Sequence, residues 1–162
     1  MLKSPPLPWL EVVAAVIMRQ QQLLLAQRAP NSHLAGQWEF PGGKLLPNET
    51  FAQGICREID EELALPVQAM ATLACIEHHY HDKAVRLHFI ACQLIDQRPP
   101  LCRVHAQIGW FTYQQAMQLP LATADRRFLE SSAAVDYCAV PAAGGLHTVS
   151  VAVARPGTAD GD

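Results

Sequence analysis

The sequence predicts an α+β fold in which a mixed β-sheet lies between helices. Three observations carry that expectation. Strand-like apolar runs recur at about 10–18, 22–27, 69–80, 84–95 and 107–112; helical periodicity occurs in only two places, at about 50–63 and from Thr123 or Ala124 to about Ser132; and no segment repeats. A chain of 162 residues, half of them apolar, fits one domain and one core, since domains usually span roughly 100–200 residues. We expect residues 10–134 to form that domain, with 1–9 as an N-terminal extension and 135–162 as a poorly ordered tail.

Each element has a local cause. EVVAAVIM and LLLAQ are rich in the branched and apolar residues that strands favour. Pro41-Gly42-Gly43 is a breaker cluster, so a loop is expected through Gly43. The helix after it can be capped by Asn48 or Thr50, and Thr50 with Gln53 fits a capping box. Phe51, Ile55, Ile59 and Leu63 recur every four residues and form an apolar stripe that must be buried. Gly54 costs this helix about 1 kcal/mol relative to Ala, which points to close packing at that position. His81-Asp82-Lys83 is the expected turn between the strands at about 69–80 and 84–95. A link around Pro99-Pro100 precedes the last strand. Beyond Val135, Gly, Pro and Ala dominate, with one β-like run, Thr148 to Ala154, expected to dock as a strand.

Composition excludes several functions. A net charge of −3 gives no diffuse basic field, so polymeric nucleic acid is not an expected partner and a phosphate ligand needs local cations. No apolar run reaches the 18 or so residues of a membrane span, and Pro5, Pro6, Pro8 and Glu11 interrupt any signal-peptide core. The five cysteines are odd in number and lack a C-x2-C pair, which favours reduced thiols over zinc or disulfides. The expected location is the cytoplasm.

The chemistry concentrates on the first helix. Glu58, Glu61 and Glu62 stand at i, i+3 and i+4 and project from one face. Like-charged pairs at these spacings cost roughly 0.2–0.5 kcal/mol each, so the patch makes sense when a cation covers it; otherwise it is a solvated acidic face. Hard divalent cations take carboxylates, carbonyls and phosphate oxygens, and the glycine turn can aim main-chain carbonyls at the same place. In Glu77-His78-His79-Tyr80-His81-Asp82, strand alternation sends His78 and His79 to opposite faces, so this is read as a hairpin end and not a metal site.

At these residues the chain resembles a family. Gly43, five residues, Glu49, seven residues, then Arg57-Glu58-Ile59-Asp60-Glu61-Glu62-Leu63-Ala64-Leu65 is similar to the Nudix box, departing from it only in Ala64, where the box has Gly. Flanking EVVAAVIM and LLLAQRAPNSHLAGQWEFPGGK resemble MutT-like members, and the similarity covers roughly residues 10 to 132. The resemblance implies an α/β/α Nudix fold with Gly43 and Glu49 as structural members of the box. It implies metal held by Glu58, Glu61, Glu62 and the carbonyl of Gly42, with Mg²⁺ as the cofactor and Mn²⁺ as the alternative. Arg57 then orients Glu58 or pairs with Glu49, beside an ordinary i, i+4 bridge to Glu61.

Further roles follow from the same likeness. Arg28 and Lys44 resemble triphosphate-binding positions, with a plain surface role as the alternative for each, and His33 and Phe40 fall where the nucleoside pocket is lined; Phe40 can equally be core and His33 a surface loop residue. The hairpin end with Asp82 borders the substrate cleft. Where many MutT-like enzymes carry a loop carboxylate, this chain has Val104-His105-Ala106-Gln107, so the general base is His105, Glu58 or Glu61. Asp125, in Pro120-Leu121-Ala122-Thr123-Ala124-Asp125, stands where relatives read the base; its bland role is a helix N-cap. Ala64 is expected to take the left-handed cap that Gly takes in the family.

The implied activity is hydrolysis of a nucleoside triphosphate to monophosphate and pyrophosphate in nucleotide-pool sanitising, on 8-oxo-dGTP or on CTP and modified dCTP, by a monomer or homodimer. The alternatives are hydrolysis of a nucleoside diphosphate sugar and a catalytically silent nucleotide-binding module.

Overall fold

The computed structural model describes Lys3, residues 6–139 and Val153–Ala154. In chain order the elements are β1 (Trp9–Arg19), β2 (Gln22–Gln27), β3 (Trp38–Glu39), β4 (Gly42–Lys44), α1 (Phe51–Leu63), β5 (Val67–His79), β6 (Ala84–Leu94), β7 (Gln107–Phe111), α2 (Tyr113–Met117), α3 (Thr123–Leu129), α4 (Ser132–Cys138) and β8 (Val153–Ala154). The sheet runs β5-β6-β1-β2-β7-β8, with β4 paired to β1 and β3 to β2. β1 and β6 are parallel; the other described pairs are antiparallel, so the sheet is mixed as expected.

The unbroken apolar run of β1 reflects burial on both faces. Val13, Ala15 and Ile17 enter a core with Ile55, Ile59 and Leu63 of α1, while Ala14 and Val16 enter a second core with Phe128 and Leu129 of α3 and Ala134 and Cys138 of α4. Side chains alternate across a strand, so one segment of sequence supplies two cores.

Helix α1 starts as its sequence predicts. Gln53 N donates to Thr50 Oγ1 at 3.1 Å and Thr50 N donates to Gln53 Oε1 at 2.9 Å, completing the capping box with Thr50 as N-cap. The helix ends at Ala64 in the left-handed conformation, φ 50° and ψ 38°. Gly54 is explained by packing: a Cβ there would lie 2.3 Å from Leu45 Cδ2 and 3.0 Å from Glu49 Oε1. The stripe departs from expectation at Phe51, which is 38% exposed and lies against the His88 ring with centroids 4.2 Å apart. It occupies the first turn of α1, at the rim of the face that Ile55, Ile59 and Leu63 bury.

Other boundaries differ from the expected ones. The glycine turn pairs as β4, with Ala14 opposite Gly42 and Val13 opposite Gly43. A Cβ on Gly42 would come 1.9 Å from Val13 O, so only glycine allows this approach. Helix α2 was not expected; its five residues are too few for periodicity, although Thr112 and Gln115 form a second capping box. The helix expected to about Ser132 is α3, which ends at Leu129, and a further helix that was not expected, α4, begins where Ser131 caps it. Helix α4 runs past residue 134 and buries Cys138. Val153 and Ala154 pair with Gly109 and Ile108, docking the end of the expected β-like run; the rest of the expected tail from residue 140 lies outside the described residues. All five cysteines are free thiols, and no described helix is long and apolar enough to cross a membrane.

Candidate active site

Arg57 organises the acidic face of α1. Its Nε and Nη2 donate to the two oxygens of Glu49 at 2.7 and 2.9 Å, Nη1 donates to Glu58 Oε1 at 3.0 Å and to Glu61 Oε2 at 3.2 Å, and Nη2 also reaches the Lys44 carbonyl at 3.1 Å. Pairing with Glu49, orientation of Glu58 and the i, i+4 bridge to Glu61 therefore coexist. The guanidinium fork suits several carboxylates at once, which an ammonium would not. Hydrogen bonds from Arg57, helped by the Leu46 amide, hold the Glu49 carboxyl down at about 2. Gly43 makes room for the constellation: a Cβ there would stand 2.5 Å from the Glu58 carboxylate.

Glu62 points away from Arg57. Burial, followed by repulsion from Glu58 and Glu39, raises its carboxyl to about 8, and its Oε2 is buried without a hydrogen-bond partner. His105 Nε2 lies 3.5 Å from Glu39 Oε1 and 3.9 Å from Glu62 Oε2, and its Nδ1 is likewise buried and unpartnered. The loop carrying His105 is docked on the end of α1. Leu101 N donates to Leu63 O at 2.8 Å, and Arg103 Nη1 donates to Asp60 O at 3.3 Å. The Leu101 amide satisfies a carbonyl that the last turn of a helix leaves open, and Arg103 adds a second donor to the Asp60 carbonyl that the Ala64 amide already holds.

A cavity of 380 Å³ opens beside this cluster. Its lining includes Gly42, Gly43, Lys44, Glu62, Glu39 and His105 together with Phe40, Asp125 and Leu87, and Val12 and Ala14 of β1 stand opposite Lys44 and Gly42 of β4. Arg28 and His33 also face it, but Arg28 is engaged: Nη1 binds Glu39 Oε2 at 2.9 Å and Nε binds the His33 carbonyl. Lys44 is exposed. Phe40 is both core and wall, packing edge-on against Phe89 and Phe128. Asp82 does not line the cavity; it is exposed at the hairpin tip, and Lys83 and Tyr80 face the space in its place.

Asp125 is not an N-cap. Ala122 occupies that position, and Asp125 sits buried in the first turn of α3, its Oδ1 accepting from Phe40 N at 2.8 Å. The segment before it is held against β3, with Trp38 N donating to Pro120 O at 2.8 Å and Ala122 N to Trp38 O at 2.9 Å. Burial, with repulsion from Glu39, pushes the Asp125 carboxyl up to about 8. Sequence reasoning missed Glu39 and, within the hairpin end it placed beside the cleft, chose Asp82 where His78, Tyr80 and Lys83 line the cavity. The signal for Glu39 was present: between buried Trp38 and Phe40, alternation turns it to the opposite side, toward the α1 carboxylates.

The donors fit a hard divalent cation. They are carboxylates and main-chain carbonyls, one buried carboxylate oxygen of Glu62 has no partner, and Gly43 leaves space that a side chain would fill. Among the described residues no three His, Cys, Asp or Glu side chains already converge on one point. The expected triad is accordingly split, Glu58 and Glu61 on Arg57 and Glu62 facing His105.

Comparison with known proteins gives a consistent answer. The NUDIX domain family model matches residues 12–131. A CTP pyrophosphohydrolase of Escherichia coli (strain K12) is 37% identical over 123 residues, covering 75% of this chain and 90% of that protein. An 8-oxo-dGTP diphosphatase of Proteus vulgaris is 40% identical over 81 residues, 49% of this chain and 72% of that protein. The crystal structure of a MutT protein from Methanosarcina mazei Go1 superposes with a TM-score of 0.71 at 25% identity, covering 78% of this chain and 94% of that one. Family proteins of this kind use divalent cations, as the donor set here suits. With its box arginine, its carboxylates and its mixed sheet in place, the chain belongs to the Nudix hydrolase family.

Proposed function

We propose that this protein hydrolyses nucleoside triphosphates to the monophosphate and pyrophosphate with Mg²⁺. The observation that carries the reading is a cavity lined by two kinds of surface, the charged groups Glu62, Glu39 and Lys44 and the aromatic and apolar residues Phe40, Val12, Val85 and Leu87 with buried Asp125. A polyphosphate suits the first and a base the second.

In this reading Glu58, Glu61, Glu62 and the Gly42 carbonyl hold the cation, which when bound supplies charge neutralisation on phosphate oxygens and acidifies water. Arg57 positions Glu58 and Glu61, and Glu49 anchors Arg57. Lys44 and Arg28 offset phosphate charge, and His105, buried against Glu39 and Glu62, takes the place of the loop carboxylate. Asp125 and Phe40 meet the base, with His33 at the mouth. The named relatives make CTP-type substrates and 8-oxo-dGTP the two classes to compare. A protonated Asp125 donates to a base carbonyl, whereas an ionised one accepts from an exocyclic amine.

The test is pyrophosphate release across CTP, 5-methyl-dCTP, 8-oxo-dGTP, dGTP and a nucleoside diphosphate sugar. Turnover of a triphosphate with pyrophosphate as product is expected; hydrolysis of the sugar alone, or none, would sink the reading. Glu62→Gln should lower kcat by about 10² or more, and Asp125→Ala should change the ratios of kcat/KM among the bases.

A further inference from the structure

The β5–β6 hairpin presents an aromatic group to the cavity that neither the box nor Asp125 accounts for. His78 of β5 and Tyr80, the first residue past its end, face the cavity, while His79 turns the other way onto Trp9, ring centroids 5.1 Å apart. Tyr80 N donates to Lys83 O at 2.8 Å, which fixes the neck of the hairpin. The Tyr80 ring is held by three neighbours: His78 at 4.5 Å and His33 at 5.6 Å, both edge-to-face, and Lys83 Nζ at 5.5 Å from its centroid.

The same frame holds Asp125. Arg127 of α3 donates to Glu77 O in β5 at 2.7 Å, so the element that carries Asp125 is tied to the strand that leads directly into Tyr80. Val12, Val85 and Leu87 add an apolar floor from β1 and β6. A braced aromatic side chain beside apolar surface is a stacking platform with little entropy left to lose on binding.

We propose that Tyr80 is a specificity-determining residue whose ring stacks on the nucleobase in the cavity that Asp125 also lines. The inference rests on the nucleotide reading and extends it to a residue outside the box. Stacking depends on the π-face, so it tolerates loss of the hydroxyl and fails on loss of the ring.

The experiment measures KM and kcat for CTP and dGTP with Mg²⁺, and inhibition by inorganic pyrophosphate, in wild type, Tyr80→Phe, Tyr80→Leu and Tyr80→Trp, with thermal unfolding of each. Tyr80→Leu should raise KM about 10-fold with kcat little changed, the order expected for one lost base stack. Tyr80→Phe and Tyr80→Trp should stay within about threefold, and pyrophosphate inhibition should be the same in all four. An unchanged KM in Tyr80→Leu overturns the proposal. So does equal loss in the Phe and Leu variants, which would assign the effect to the hydroxyl, or a parallel loss of pyrophosphate inhibition, which would assign it to a distorted phosphate end. If Tyr80→Leu does not fold, a raised KM in Tyr80→Trp overturns it. Wild-type protein that turns over no nucleotide fails the nucleotide reading, and the stacking role falls with it.

Discussion

Pairing and burial set the protonation of two carboxyls in opposite directions: Arg57 holds Glu49 low, and burial holds Asp125 high. Arg57 holds Glu49, Glu58 and Glu61 through a fork that Lys cannot reproduce, so Arg57→Lys should lower kcat by about 10²-fold through misplaced carboxylates, with KM for nucleotide little changed. Steady-state kinetics check this, and retention of wild-type kcat would remove Arg57 from the site's machinery. Asp125 is a buried carboxyl raised from 3.8 to about 8. Between these values the folded protein holds a proton that the unfolded chain has released, so the stability contributed by this group is full below about 3.8 and is lost as pH rises toward about 8. Asp125→Asn keeps an acceptor for Phe40 N and removes the titration. The gain in unfolding midpoint over wild type should therefore grow from pH 4 to pH 8; a constant difference would show that Asp125 does not take up a proton on folding. For Glu49, lowered from 4.5 to about 2, the contribution is present above about 4.5 and is lost as pH falls toward about 2, so Glu49→Gln should flatten the acid limb of stability.

At the scale of elements, α1 is specified at both ends. Its C-cap carries a cost, because Ala64 at φ 50° brings a Cβ into the left-handed region. Ala64→Gly should stabilise the fold by about 1 kcal/mol in chemical denaturation, without change in m-value. The loop docked on this end delivers His105, and its anchors are main-chain groups plus Arg103. His105→Ala should depress kcat while leaving the unfolding midpoint within a few degrees, and an unaltered kcat would leave the base role to the helix glutamates. Local signals were legible wherever a few adjacent residues decide the outcome: the Thr50–Gln53 box and the Ile55–Ile59–Leu63 stripe followed from spacing, and the Ala64 cap from the resemblance to a family that has Gly there. Strand β4 and helix α2 did not, because a three-residue glycine strand exists only against Val13 and a five-residue helix shows no period.

For the whole molecule, one sheet supports two cores, and every strand between them must be read on both faces. Ile59 in the first core and Phe128, stacked 4.1 Å from Phe89 in the second, are both fully buried. Ile59→Ala should cost about 2–5 kcal/mol and Phe128→Ala about 3–5 kcal/mol. Because β1 is common to both cores, each variant should still unfold in one transition by fluorescence and by circular dichroism. Separate transitions would mean that the two faces fold independently.

The sequence by itself determined the class of the fold, the catalytic-helix candidate and the family, because these rest on periodicity, capping and fixed spacing along contiguous residues. It also narrowed the site to Arg57, the three glutamates and the glycine turn. Only the tertiary structure decided how these groups are shared: Glu58 and Glu61 on Arg57, Glu62 turned to Glu39 and His105, and Asp125 beneath the Phe40 amide 85 residues away in sequence. It likewise put Tyr80 and Lys83 in the cavity and left Asp82 outside. Periodicity tells which face a side chain takes, but the neighbour it meets there depends on strand order and loop closure, which bring together residues far apart in the chain.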